Sequence, residues 1–315
     1  MRIAARNGTA SAGWLASMPM RVESRLAALL PVPAGPHDEV AGAMRAAVLG
    51  PGKRLRPLLT LSVGEALGCR SPGLLDLACA VELVHCASLV LDDMPAMDGA
   101  LLRRGEPTVH LRFGEDVAML ATVALVTEAL RIAASAPGLA AAACANAVQL
   151  LCAAIGPAGL VRGQYRDLHE GGGARSIAAA TEANAQKTGV LFAAALELGA
   201  LAAGAGSAVA DLRRAALALG QAFQLRDDLE DMLPGGGAAG EDAGKSTLTQ
   251  IIGAGPARSM LQSELQESRH ALRAALGGDC GMVDLLLQRA FAELTPAGAG
   301  PRSVRAASAR PAAAA

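Results

Sequence analysis

Aromatic side chains are nearly missing from this chain of 315 residues: one Trp, one Tyr and four Phe make up 2% of it. Runs of Val, Ile, Thr and Tyr are scarce too, so little in the sequence favours a sheet. Charge of one sign is also lacking. A formal net charge of −1 leaves no electrostatic footprint for nucleic acid, and none is expected as a partner. The six cysteines form no Cys-x-x-Cys pair and sit in apolar segments, where free Cys behaves as a small hydrophobe. That usage suits a reduced, cytoplasmic setting. The five histidines are scattered, which excludes a zinc site legible from spacing. Met1 to Pro19 holds no continuous apolar run of the kind a signal peptide needs. The oiliest stretch, Val190 to Ala210, is interrupted by Glu197 and rich in Gly and Ala, so it predicts a buried core helix and no transmembrane segment.

What is abundant is small and apolar. Hydrophobic residues reach 52%, dominated by Ala, a composition that predicts helices packed closely through small side chains. Two of these oily helices run into acids: Leu89-Val90-Leu91-Asp92-Asp93-Met94-Pro95-Ala96-Met97-Asp98 and, far downstream, Gln224-Leu225-Arg226-Asp227-Asp228-Leu229-Glu230-Asp231. Carboxylates on apolar helices need a partner or a metal. Asp227, Asp228 and Asp231 lie three and four residues apart, so all three are expected to converge on one ion. Pro95 ends the first helix near Asp93, with Asp98 folding back from the loop. Oxygen ligands without His or Cys suit Mg²⁺, which keeps room for substrate phosphates.

Cations accompany the acids. Gly50-Pro51-Gly52-Lys53-Arg54-Leu55-Arg56-Pro57 breaks the chain and opens a helix with three basic residues, a place where an anion meets free backbone N–H groups. His85 shares a helix face with Asp92, and Arg103-Arg104-Gly105 follows Asp98 closely. Helices are also expected over Met20–Leu30, His37–Leu49, Glu115–Ala134, Leu139–His169 with a break near Gly156-Pro157, Asp211–Met232, Pro256–Leu276 and Met282–Leu294, with another starting near Ser176 and carrying Lys187-Thr188. The loop Gly240 to Thr247 imitates a phosphate loop but has the wrong spacing and no preceding strand, so nucleotide binding is rejected and Lys245 kept as a phosphate contact. Residues 1–19 read as a flexible N-terminal segment, 20–294 as one domain and 295–315 as a disordered tail.

The order of these pieces resembles the trans-isoprenyl diphosphate synthases, and within them the bacterial geranylgeranyl diphosphate synthase type of carotenoid pathways. The resemblance rests on Lys53-Arg54-Leu55-Arg56-Pro57, Asp92 to Asp98 followed by Arg103-Arg104-Gly105, Lys187-Thr188, Phe223-Gln224 before Asp227 to Asp231, and Lys245. It implies an all-α fold whose helices surround a deep central cavity, and a homodimer. It implies Mg²⁺ bound by Asp92, Asp93 and Asp98 on one side and Asp227, Asp228 and Asp231 on the other. Arg103, Lys187 and Lys245 would hold an allylic diphosphate; Lys53, Arg56, His85 and Arg104 would hold isopentenyl diphosphate; Thr188 and Gln224 would touch substrate. Asp92, Asp98, Asp227 and Lys187 are the implied catalytic set. Ala87, five residues before Asp92, and the inserted Pro95-Ala96 imply a deep cavity and a twenty-carbon product. Farnesyl diphosphate synthase, a class I terpene cyclase and a non-catalytic partner subunit are the alternatives. Gly99 and Ala121-Thr122-Val123 depart from the usual pattern, at positions that hold neither metal nor diphosphate.

Overall fold

The computed structural model describes residues 2–35, 37–170, 176–232, 247–278 and 280–292, with side chains from residue 13 onward. Lys245, the Gly171–Gly173 run and the 295–315 tail lie outside the described residues.

Helices α1 (Arg2–Leu29), α2 (Glu39–Leu49), α3 (Leu55–Ala66) and α4 (Gly73–Asp92) open the chain. A hairpin follows, β1 (Leu102–Arg103) with β2 (Glu106–Pro107), pairing Arg103 with Glu106. Its two-residue turn is Arg104-Gly105, both at positive φ (57° and 85°), as primed hairpin turns require. Then come α5 (Val109–Phe113), α6 (Glu115–Ala134), α7 (Ala141–Ile155), α8 (Leu160–Glu170) and α9 (Ile177–Asn184). A π-helical turn, Ala185–Gly189, leads into α10 (Val190–Ala202), and α11 (Val209–Asp231), α12 (Leu248–Ile252), α13 (Ala254–Ala275) and α14 (Gly281–Ala290) complete the described fold. Apart from the hairpin, the described chain is all-α, as expected.

The core is built on α4 and α10. Both are buried on almost every side, because Ala, Cys, Leu and Val occupy nearly all their positions and leave no polar stripe for water. Helix α4 packs against α3, α6 and α10, while α10 also meets α7 and α11. The carboxyl ends of α4 and α11 and the amino end of α10 line the same hollow. A smaller apolar cluster, Leu225, Leu229, Leu248, Ala257 and Leu261, fastens α12 and α13 to the end of α11. The Thr247–Gln250 capping box starts α12 there.

Helix α1 begins at Arg2, well before the start expected at Met20, and runs through Pro19. Trp14 donates its indole N–H to Glu65 on α3 at 2.6 Å, and Arg25 forms a bidentate pair with Asp76 on α4 at 2.7 and 2.8 Å. Among the described residues, three helical runs are long and apolar enough by composition to cross a membrane: Gly73–Asp92, Glu115–Ala134 and Ala141–Glu170. The first is the centre of the core, 78% buried, while the other two keep apolar surface outward, at 39% and 28% buried.

Candidate active site

A cavity of about 560 Å³ opens where α3 and α4 face α10 and α11. Six cations line it, Lys53, Arg54, Arg56, Arg104, Lys187 and Arg226, against three acids, Glu82, Asp92 and Asp227. Leu89, Leu160, Leu191 and Phe223 supply its apolar wall. The hollow therefore offers charge for anions and an apolar wall for hydrocarbon.

The acid clusters divide. Helix α4 stops at Asp92, with Asp93 as its cap, and the backbone N–H of Asp98 donates to the Asp92 carbonyl at 2.9 Å, folding the loop back. Gly99 closes that turn at φ 64°, a region open to Gly. Asp92 faces the cavity. Burial pushes its carboxyl up to about 6, opposed by Lys187 and reinforced by Asp98. Asp93 is 2% exposed and takes a tight ion pair from Arg103. On α11, Asp227 lines the cavity, whereas Asp228 is buried and accepts from Gln224 Nε2 at 3.0 Å and Thr249 Oγ1 at 3.4 Å. The convergence of Asp227, Asp228 and Asp231 expected from spacing is thus not what the structure presents. Among the described residues no three acid or imidazole groups stand close enough to enclose an ion. Asp92 and Asp227 still fit Mg²⁺ in kind. They are hard oxygen donors on opposite walls of one basic cavity, and Asp92 is an acid whose burial disfavours its bare charge.

A set of basic groups gathers around the start of α3. Arg56 lies 4.5 Å from the centre of the Phe192 ring, and its Nη1 donates to His85 Nε2 at 3.2 Å. Burial lowers Arg56 to about 10 against the pull of Glu82, and its Nε is enclosed with no partner among the described residues. Burial and the Arg56 charge hold His85 neutral, so its Nε2 accepts. Arg104 reaches back from the hairpin turn to donate to the Pro51 carbonyl at 2.5 Å. Its positive φ and that of Arg54 (48°), the only two non-glycine cases among the described residues, both fall at this site. Such backbone persists where its surroundings impose it, at a cost of roughly 1–3 kcal/mol each.

Lys187 and Thr188 stand on the π-helical turn, whose wider winding adds a residue to the helix and re-aims both side chains. Glycines allow the approach: a Cβ on Gly163 of α8 would collide with the Lys187 backbone, and one on Gly220 of α11 would lie 2.6 Å from Gly189 Cα. Lys187 Nζ donates to Asp167 Oδ2 at 2.6 Å, and Thr188 Oγ1 to Gln224 Oε1 at 3.4 Å. Sequence reasoning gave Asp167 no role. It also passed over Arg226, which pairs with Asp227 at 2.5 Å, sits 4.5 Å from the Phe223 ring and donates to the Ala290 carbonyl at 2.9 Å. Three of the four phenylalanines, Phe192, Phe223 and Phe291, stack in that corner with centroids 4.8–5.0 Å apart. Ser88 lines the hollow, and Ala87, the residue of the cavity-depth expectation, is 1% exposed beside it in the core.

A helical bundle with an acid-rimmed, cation-lined hollow running into hydrocarbon is the architecture of a protein that handles diphosphate esters of apolar chains. The chain belongs to the polyprenyl synthetase family, whose model it matches over residues 37–280. It is 49% identical to a geranylgeranyl diphosphate synthase of Pantoea ananas over 258 residues, 81% of this chain and 85% of that one. It is 38% identical to the farnesyl diphosphate synthase of Escherichia coli (strain K12) over 237 residues, 72% and 79% of the two chains. In structure it resembles a Helicobacter pylori geranyltransferase complexed with magnesium and isoprenyl diphosphate, with a TM-score of 0.81 and 26% identity over 90% of this chain and 98% of that one.

Proposed function

We propose that this protein is a prenyltransferase that condenses isopentenyl diphosphate with an allylic diphosphate, head to tail, and releases geranylgeranyl diphosphate. One observation carries the reading: Asp92, Asp227 and Lys187 line the same cavity as a separate basic set, Lys53, Arg56 and Arg104. Two diphosphates need two such cradles, and a terpene cyclase needs one. The intact acids on both walls speak against a non-catalytic partner subunit. The name of the Pantoea ananas relative supports the twenty-carbon product over farnesyl diphosphate.

In this reading Lys187, steadied by Asp167, holds the allylic diphosphate as its ester C–O bond breaks and the diphosphate leaves with the electron pair. Asp92, Asp98, Asp227 and Asp231 would hold Mg²⁺, which when bound offsets the negative charge gathering on that leaving group. Lys53, Arg56, Arg104 and the neutral His85 keep isopentenyl diphosphate in place, so that its double bond attacks the allylic carbon and forms the new C–C bond. The cation left on the isopentenyl unit then loses a proton to the departing diphosphate. Leu89, Leu160 and Leu191 offer no nucleophile and exclude water while the cation exists.

We place the working enzyme in the reduced cytoplasm, which its six free cysteines suit, and as a homodimer. The test is turnover: purified protein, Mg²⁺, labelled isopentenyl diphosphate and each allylic starter in turn, with products sized by chromatography. Geranylgeranyl diphosphate is expected, with Asp92→Ala and Asp227→Ala slower by orders of magnitude while still folded by circular dichroism. Turnover that ignores isopentenyl diphosphate would overturn the reading.

A further inference from the structure

Arg54 and Arg56 stand two positions apart and live in opposite surroundings. Arg56 has no bonded carboxylate among the described residues, and points its charge into the cavity. Arg54 is 3% exposed and its guanidinium is tied to protein in three directions. Nε donates to Glu23 of α1 at 2.6 Å, Nη1 to Glu82 of α4 at 3.2 Å, and Nη2 to the carbonyl of Gly50 at the end of α2 at 2.7 Å. Two carboxylates already neutralise this cation, so an arriving diphosphate would gain little from it. The loop is also gripped from its other side, where Arg104 donates to Pro51. Gly52 lies between the two guanidinium groups: a Cβ there would stand 2.5 Å from Arg104 Nη1 and 2.7 Å from Arg54 Nη1. Exposed Lys53 follows directly.

We propose that Arg54, held by Glu23 and Glu82, is a positioning residue: it fixes the backbone that aims Lys53 and Arg56 at isopentenyl diphosphate, without touching that diphosphate itself. The inference rests on the reading above, in which this basic wall is the isopentenyl diphosphate cradle. Three separate nitrogens of one guanidinium serve three acceptors, which the single nitrogen of a lysine cannot reach together.

Steady-state kinetics on the full chain decide the matter. Arg54→Met and Arg54→Lys should raise KM for isopentenyl diphosphate by about tenfold or more, with KM for the allylic diphosphate within about twofold and kcat largely kept. Glu23→Gln, at a half-exposed position, is the deciding variant and needs no refolding of the core. If Arg54 positions the loop, Glu23→Gln raises the same KM several-fold. If Arg54 instead binds diphosphate directly, removing a competing carboxylate lowers that KM, and the proposal fails. It fails equally if Arg54→Lys restores wild-type KM, or if both substrates' KM values rise together. Should Arg54→Met not fold, Gly52→Ala on the exposed loop carries the same expectation. Wild-type protein that never consumes isopentenyl diphosphate would count against the functional reading alone. Calorimetry with inorganic diphosphate then still tests the clamp, since weaker binding by Glu23→Gln supports it and unchanged binding refutes it.

Discussion

Asp92 shows how one side chain can be read in free-energy terms. Its carboxyl is pushed up to about 6 chiefly by burial, above the ordinary range near 4. A raised acid favours the folded state at low pH, and that favour is lost as pH rises from about 4 through 6, where the folded protein must give up a proton it holds more tightly than the unfolded chain does. Asp92→Asn removes the loss. Without Mg²⁺ the variant should therefore be more stable than wild type at pH 7, by roughly 1–2 kcal/mol after solvent screening. The gap should close toward pH 4 in melting curves. Mg²⁺ with inorganic diphosphate should raise the wild-type melting temperature and leave Asp92→Asn nearly unmoved. A second outcome belongs to Ser88, which lines the hollow one turn below Asp92. Ser88→Phe should fill it and shorten the main product toward farnesyl diphosphate, measured by product chromatography. The acids were legible as a set and their roles were not. Neighbours on a helix point about 100° apart, so Asp93 and Asp228 turn from the cavity their partners face.

Among the elements, the ends of α4 and α11 were the most legible, since an oily run stopping at acids leaves little choice of boundary. Helix α6 matches its expected span, Glu115–Ala134, for the same reason. Ala121 sits inside it, fully buried against the core. The π-helical turn at Ala185–Gly189 was hidden, because it follows from close contact with Gly163 and Gly220, far off in the chain. The partners of Arg54 were hidden likewise, at separations of 31 and 28 residues. Gly163→Ala tests the π turn. Its methyl meets the Lys187 backbone, so the melting temperature should fall as for an overpacked contact of about 1–3 kcal/mol. The rate should drop further than stability alone explains, because Lys187 moves with its backbone. A variant as fast as wild type would show that Lys187 is aimed by something else.

At the scale of the whole molecule, α6 leaves Met119, Leu120 and Val123 more than half exposed along one face. Scattered apolar residues need no cause, but a contiguous face on a long helix marks an interaction surface. A second copy is the occupant proposed above, and isologous pairing would bury the face on both chains. Leu120→Glu with Val123→Glu should convert a dimer to a monomer in sedimentation experiments without changing helix content. Helix α1 has a different use. Its Trp14 is the only tryptophan in the chain, and that indole is pinned to Glu65 far from the cavity. Fluorescence excited at the red edge therefore reports one event, the peeling of the amino-terminal helix from its neighbour. Denaturant titrations can follow that detachment by colour, while the catalytic hollow, optically silent, is tracked separately by its chemistry.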